Sequence, residues 1–489
     1  MAKNLKKKAA SGMVWTAIQK YSKMGIQFVS GIILARLLTP FDYGCIGMLA
    51  IFMVVAETFI DGGFGSALIQ KKCPTQEDYS TIFYWNMGLA MVLYGVLFFS
   101  APAIARFYRI PILCDVLRVQ GIILFVYSLN LIQRNQLRKQ LRFKILAIVR
   151  IVTSIISLII TIIMAYMGFG VWSLVAQNLI SGIIPSLVFW FYVKWRPSWI
   201  FSWKSFKDLF NFGIFMFLTH LINNISTQLQ GLFIGRLYNP ATLGYYSKAS
   251  GTEKLASGTI TGVMTAVTYP LYAEVQDDLP RMQNMLKHLT STISFITFPL
   301  LAILLLVAKP VFVLLYSDRW LESVPYFQVL CFAGLGGCLT SVNTQCIAAI
   351  GKSKTMFLWT IIKRIVGITF IIGGLYLFGM YGLLVGVIIN YWFSYFVNIW
   401  LVSKYIGYKW TTQCLDLLPI ALATIMAGAI SYFCGSMVGL NMYLDGLIKL
   451  IFFVVLYVGW FLLAKPESYL YTKGIVSPVV TKFRGKYHF

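Results

Sequence analysis

Residues 31–44 read GIILARLLTPFDYG and residues 231–244 read GLFIGRLYNPATLG. The two stretches align without a gap at an offset of 200, with Gly31/Gly231, Arg36/Arg236, Leu37/Leu237, Pro40/Pro240 and Gly44/Gly244 identical. Chance alone gives roughly one identity in such a window at average residue usage. In a chain this apolar, a repeat of this period marks two homologous membrane bundles, a construction shared by many transporters.

The 489 residues are 58% hydrophobic with a mean hydropathy of +0.76, too many long apolar runs for a water-soluble domain. The reading is an all-α polytopic membrane protein of about fourteen transmembrane helices. The spans fall near 11–38, 44–69, 79–104, 113–133, 143–167, 170–193, 208–236, 243–273, 288–308, 323–350, 355–378, 380–403, 415–437 and 444–464. Each is near the ~20 apolar residues that a helix needs to cross. This divides the chain into a six-helix lobe (1–193), an interfacial linker (194–207), a second six-helix lobe (208–404), two further helices (405–464) and a cytoplasmic tail (465–489).

Charge tests the count independently. The formal net charge is +25, but the basic residues sit between apolar segments and not along one polar face, which argues against nucleic acid as a partner. With the lysines near the N-terminus on the cytoplasmic side, 26 of the 41 Lys and Arg fall on cytoplasmic loops and tails and eight on the opposite side. Both termini are therefore expected in the cytoplasm. The first apolar stretch is long and interrupted by lysines, so it reads as an uncleaved first helix and not as a signal peptide. Trp195, Trp199 and Trp203 among Lys194, Lys204 and Lys207 suggest a linker lying on the membrane surface.

Charges inside a membrane cost roughly 2.5–3.5 kcal/mol each on insertion scales, so each needs a reason. In the first span Thr16, Lys20, Lys23, Gln27 and Ser30 share a helical stripe, and in the seventh His220, Asn223, Thr227 and Gln230 do so at the matching offset. Glu57 and Asp61 stand one turn apart in the second span and map onto Ser257 and Thr261, where Lys254 and Thr265 continue the stripe. At a rise of ~1.5 Å per residue, Lys23 comes level with Glu57 and Lys20 with Asp61, which predicts two ion pairs. Lys363 and Arg364 are further cavity candidates in the eleventh span, whereas Arg150 is expected to snorkel to the cytoplasmic surface. A later match at offset 208 pairs Gln120/Gln328, Asn135/Asn343 and Lys144/Lys352.

Enzymatic chemistry finds little footing. There is no glycine-rich phosphate loop, no nucleophile–base arrangement and no metal-ligand cluster; the eight cysteines form no CxxC, and Cys331, Cys338 and Cys346 read as small packing residues on one helix face. A membrane polysaccharide polymerase or ligase would need large outward loops that the spacing does not provide.

The stretch from Gly12 to Lys72, with IQKYSKMGIQFVSGIILARLLTPFDYG and then FIDGGFGSALIQKK, resembles bacterial polysaccharide and O-antigen flippases, and more closely their colanic-acid-exporter-like branch. LLYSDRW and IAAIGKSKTMF, between Val311 and Phe357, agree. The resemblance extends to the superfamily that includes multidrug and toxin extruders. It implies an inverted-V shape with the first, second, seventh and eighth helices lining a central cavity. It also implies export of an undecaprenyl-pyrophosphate-linked oligosaccharide across the bacterial inner membrane for surface polysaccharide or lipopolysaccharide. Cavity charges vary in position within such families, so the assignment of Lys20, Lys23 and Lys254 to the pyrophosphate rests on the charge pattern of this chain. The expected partners are the lipid-linked oligosaccharide, membrane lipids and the polysaccharide polymerase machinery. No cofactor is expected beyond a coupling proton or sodium ion at Glu57 and Asp61. The alternative within the superfamily is an antiporter of cationic drugs, which the basic balance disfavours.

Single cysteines placed near Lys72, Lys139 and Lys409 should be protected in whole cells from an impermeant thiol reagent, and those near Arg109 and Asp318 should react. The reverse at either group would contradict the fourteen-span topology.

Overall fold

The computed structural model describes residues 2–438 and 441–464; the expected cytoplasmic tail lies outside the described residues. The described chain is helical and contains no strand. Its helices are α1 (Ala2–Leu37), α2 (Pro40–Asp61), α3 (Phe64–Gln70), α4 (Gln76–Tyr108), α5 (Ile112–Gly121), α6 (Ile123–Lys139), α7 (Phe143–Tyr166) and α8 (Val171–Tyr192). They continue with α9 (Trp203–Leu237), α10 (Pro240–Glu274), α11 (Leu279–Leu306), α12 (Ala308–Tyr316), α13 (Ser323–Ala349), α14 (Ser353–Ile406), α15 (Trp410–Val438) and α16 (Met442–Ala464).

Among the described residues, eleven stretches are long and apolar enough to cross a membrane on those grounds alone. One of them, in α14, holds two spans, because Gly379 breaks it (φ 64°, ψ −146°) at the predicted gap between 378 and 380. The lysine-bearing α1 and the hydroxyl-rich α10 complete the fourteen. The chain is thus an all-α, multi-pass membrane protein. Its contacts group it into two compact units, one up to Ser247 and one from Lys248.

In the first unit the repeat signature has a direct physical meaning. Thr39 caps α2 in a capping box with Asp42, and Asn239 caps α10 by accepting from the Thr242 amide at 2.8 Å. Pro40 and Pro240 open the two helices, where a missing N–H costs nothing. The two helix starts then cross at their glycines. A Cβ on Gly44 would lie 1.8 Å from the Pro240 carbonyl oxygen, and one on Gly244 would lie 1.9 Å from that of Pro40. This reciprocal contact is what a local two-fold axis produces.

A second repeated device escaped the sequence reading. At offset 208 Tyr108 matches Tyr316, both are buried, and Arg109 and Ser317 after them both take positive φ (59° and 83°). Tyr108 donates to the Met48 carbonyl at 3.2 Å. In the second unit the Tyr316 hydroxyl lies 3.1 Å from Thr252 Oγ1, and Lys248 Nζ sits 4.1 Å from its ring centroid. Lys248 stands where the first half has Met48 at offset 200, so the same tyrosine seat serves an apolar and a cationic helix.

Around the first unit's site, Phe64, Leu68, Ile82, Leu131, Phe206 and Leu209 form a buried core joining α3, α4, α6 and α9. Residues 194–202 lie against the start of α4: Gln76 donates to Arg196 O at 2.7 Å, and Ser80 and Thr81 accept from the Ser198 and Ser202 amides at 3.0 Å each. In the second unit Phe453, Tyr457 and Phe461 of α16 pack with Ile420 of α15 against α11, where Tyr457 donates to Phe295 O at 3.1 Å. Cys331, Cys338 and Cys346 are all buried in α13.

Gly44→Ala and Gly244→Ala should each destabilise the purified protein, by at least the ~1–3 kcal/mol of an overpacked core site. The obstacle is backbone and cannot rotate away. Thermal unfolding in detergent checks this; a wild-type midpoint for either variant would remove the crossing as a constraint.

Candidate functional site

The site lies in the first unit and begins with a helix break. Gly62 and Gly63 both take positive φ (51° and 73°), which ends α2 and restarts the chain as α3. Gly63 is pressed on α9, since a Cβ there would lie 2.2 Å from Gly213 O. The second half has Gly262 followed by Val263, and α10 runs unbroken to Glu274. The break leaves Asp61 as the last residue of α2, at the negative end of a helix dipole, where an acid needs a nearby cation.

That cation is Arg134 of α6, whose Nη2 lies 3.9 Å from Asp61 Oδ1. Both line a cavity of about 330 Å³ together with Glu57, Arg150, Tyr127, Asn130, His220 and Asn224. Asn224 of α9 donates to Thr58 Oγ1 at 2.8 Å, fixing the α9 side of the wall. Asn130 donates to Ser186 Oγ at 2.7 Å, and Ser186 in turn donates to Val126 O at 3.1 Å, which fixes the α6 side. Arg134 Nε and the Asn135 amide nitrogen are buried without a hydrogen-bond partner. Two guanidinium groups, two carboxylates, an imidazole and two amides make this cavity suited to a polar, anionic guest in a wet setting.

Of the sequence candidates, the structure brings Glu57, Asp61 and His220 together here. It differs on the expected ion pairs. Asp61 pairs with Arg134 and not with Lys20, which is exposed, and Lys23 has Arg150 as an electrostatic neighbour. Matching heights fixed depth but not direction: α1 packs on α7, with Gly12 against Phe143, so its stripe turns toward Arg150. Arg150 itself lines the cavity and does not snorkel away from it. Ser30 accepts from Gln177 of α8 at 3.3 Å, so the outer end of the stripe is packing. Gln27 and Asn223 are exposed, and Arg236 stacks on Phe107 at 4.9 Å, while Arg36 is exposed.

In the second unit, Lys363 donates to Asn398 Oδ1 at 2.9 Å, and Asn398 donates to Thr344 Oγ1 at 2.8 Å, a polar link between α13 and α14. Arg364 lies beside it, within electrostatic reach of Tyr391. Lys254 is exposed. Ser257 and Thr261, expected on a cavity stripe, instead meet Cys338 of α13: its Sγ lies 3.9 Å from Ser257 O and 3.5 Å from Thr261 Oγ1.

Sequence reasoning missed Arg134. The predicted span ends at 133, one residue short of it, yet α6 continues through QRNQLRK to Lys139, with Ile132 and Leu137 buried. The available signal was its place one residue before the Asn135/Asn343 match.

With this geometry in place, comparison with known proteins decides the family. Residues 33–325 match the family described as polysaccharide biosynthesis protein. The chain belongs to that family. The teichuronic acid biosynthesis protein TuaB of Bacillus subtilis (strain 168) is 26% identical over 358 residues, covering 73% of this chain and 74% of its own. The lipopolysaccharide biosynthesis protein WzxC of Escherichia coli (strain K12) is 24% identical over 402 residues, covering 81% and 82%. Among solved structures, the lipid II flippase MurJ in an inward closed conformation superposes with a TM-score of 0.72 at 16% identity, covering 92% of this chain and 98% of that one. That likeness establishes the fold.

The family's two halves differ here in a coordinated way. At the two repeat offsets Glu57 becomes Ser257, Asp61 becomes Thr261, Tyr127 becomes Leu335, Asn130 becomes Cys338, Arg134 becomes Val342 and Arg150 becomes Leu358. Both acids and both arginines are thus neutral in the second half. The charges form a set, and only the first half keeps it.

The second half supplies the substitutions for a test. Asp61→Thr and Arg134→Val should each lower thermal stability, and the double variant should recover most of it, a coupling of about 0.5–3 kcal/mol. Surface polysaccharide should stay lost in the double variant. Recovered export there would make the pair packing alone.

Proposed function

We propose that this chain flips a lipid-linked oligosaccharide, of the undecaprenyl-pyrophosphate type, from the cytoplasmic to the periplasmic leaflet by alternating access. The observation that carries this reading is the Arg134–Arg150 cavity in a chain of the polysaccharide biosynthesis family. A pyrophosphate cannot enter the bilayer core unaided, and two guanidinium groups supply the donors and charge that it loses with its water. The amides, Tyr127 and His220 suit the sugar beside it.

The acids keep the empty site tolerable. Asp61 holds Arg134 until a phosphate competes for it, so the ion pair is the resting state of the binding site. This also weakens the cation-extruder reading, because one of the two acids such a transporter would need, Asp61, is engaged by Arg134.

Moving each negative charge outward against an inside-negative potential gains about 2.3 kcal/mol per 100 mV, so export draws on the membrane potential itself. In this reading the protein sits in the bacterial inner membrane with both termini in the cytoplasm. It carries out transport and makes or breaks no bond, and the polymerase that consumes the exported unit is its functional neighbour.

Deleting the gene should make an undecaprenyl-pyrophosphate-linked oligosaccharide accumulate, complete in its sugars, in the inner membrane of spheroplasts. An impermeant periodate or lectin should leave it untouched until the cells are lysed. Accumulation of an incomplete unit, or of one already exposed outside, would contradict the proposal.

A further inference from the structure

The second unit contains a buried acid that the cavity does not use. Glu253 of α10 is 6% exposed and lies about 20 Å along the helix from Pro240, near the middle of a crossing helix. Its slot is made by a glycine: a Cβ on Gly334 of α13 would lie 2.3 Å from Glu253 Oε1. At the repeat offsets the first half has Met53 and Val126, both buried apolar residues, so an ordinary packing pair is replaced by an acid and the space that it needs.

The groups facing this carboxyl are few. On α10 they are Ser257, which hydrogen-bonds to it, and the neighbouring Lys254, which is exposed. On α13 they are Cys331 and Cys338, and on α14 Tyr391, with Arg364 beyond it. None of the ion pairs among the described residues involves Glu253. Nor do the described residues contain a group of three or more His, Cys, Asp or Glu that could hold a metal ion. A carboxylate enclosed without a counter-charge is strongly unfavourable, whereas the neutral acid is tolerated.

We propose that Glu253 is a proton-binding site, and that its proton holds α10 against α13. With the proton on, the carboxyl fits the Gly334 slot and Ser257 and Thr261 rest on Cys338. Loss of the proton to water leaves a carboxylate that must be hydrated, which requires α10 to part from α13. The site is distinct from the cavity of the first unit, and its test needs no glycan.

Cys338 reports the separation. In full-length protein with the other cysteines replaced by serine, its labelling by a small maleimide should accelerate with pH more steeply than in Glu253→Gln, which fixes the neutral form and retains only the thiol's own titration. An excess of tenfold or more between pH 6 and 9 is expected. The double variant Glu253→Met with Gly334→Val, which restores the first half's pair, should fold and should follow Glu253→Gln. Infrared difference spectra should show a carboxylic-acid C=O band that titrates in wild type and is missing in Glu253→Gln. Identical pH profiles for wild type and Glu253→Gln, or no such band, would overturn the proposal.

Discussion

Where α2 and α10 begin they touch backbone to backbone, and no side chain fits between them. Gly44 lies on Pro240 and Gly244 on Pro40, so the same fourteen-residue pattern is needed twice. The prolines and caps start both helices at one level, and the glycines let them cross there. Position and direction of the rest of each helix follow from that start. About five to six turns along α2, Glu57 and Asp61 reach the depth at which α6, α7 and α9 present Arg134, Arg150 and His220. The signature therefore positions the cavity's helix without lining the cavity.

From this common frame the two halves have diverged in chemistry. The first keeps acids and arginines together, and the second has lost both, position for position. Removing one partner of such a set leaves an uncompensated charge, so the members must change together. The second half carries its own unusual groups elsewhere: Lys248 on the Tyr316 ring, Glu253 in the Gly334 slot and Lys363 on Asn398. One unit thus holds a charged pocket, and the other holds its charged groups at separate points along its helices.

Much of the fold was legible in the sequence because membrane helices announce themselves by length and apolarity, and charge between them supplies a second, independent check. The gap expected between the eleventh and twelfth spans falls at Gly379, though the helix through it is otherwise continuous. The site was half legible. Glu57, Asp61 and His220 stood out as charges in apolar helices. Arg134 did not, because it belongs to a polar helix end that is buried only by packing against other helices, α2, α3, α4 and α8 among them, which no local pattern reveals. The ion pairs failed for a related reason: helix rise gives height, but the direction of Lys20 and Lys23 depends on α1 packing against α7.

If the arginine cavity carries an anionic lipid-linked glycan across the membrane, purified components should reproduce the transfer. The direct measurement places purified protein in liposomes loaded with an undecaprenyl-pyrophosphate-linked oligosaccharide and follows access of an impermeant glycosidase to the lipid of the inner leaflet. Wild-type vesicles should expose that pool, faster when a potential favours outward movement of negative charge, and Arg134→Val vesicles should behave as protein-free ones. Equal exposure by wild type and Arg134→Val, or none by wild type, would contradict the account.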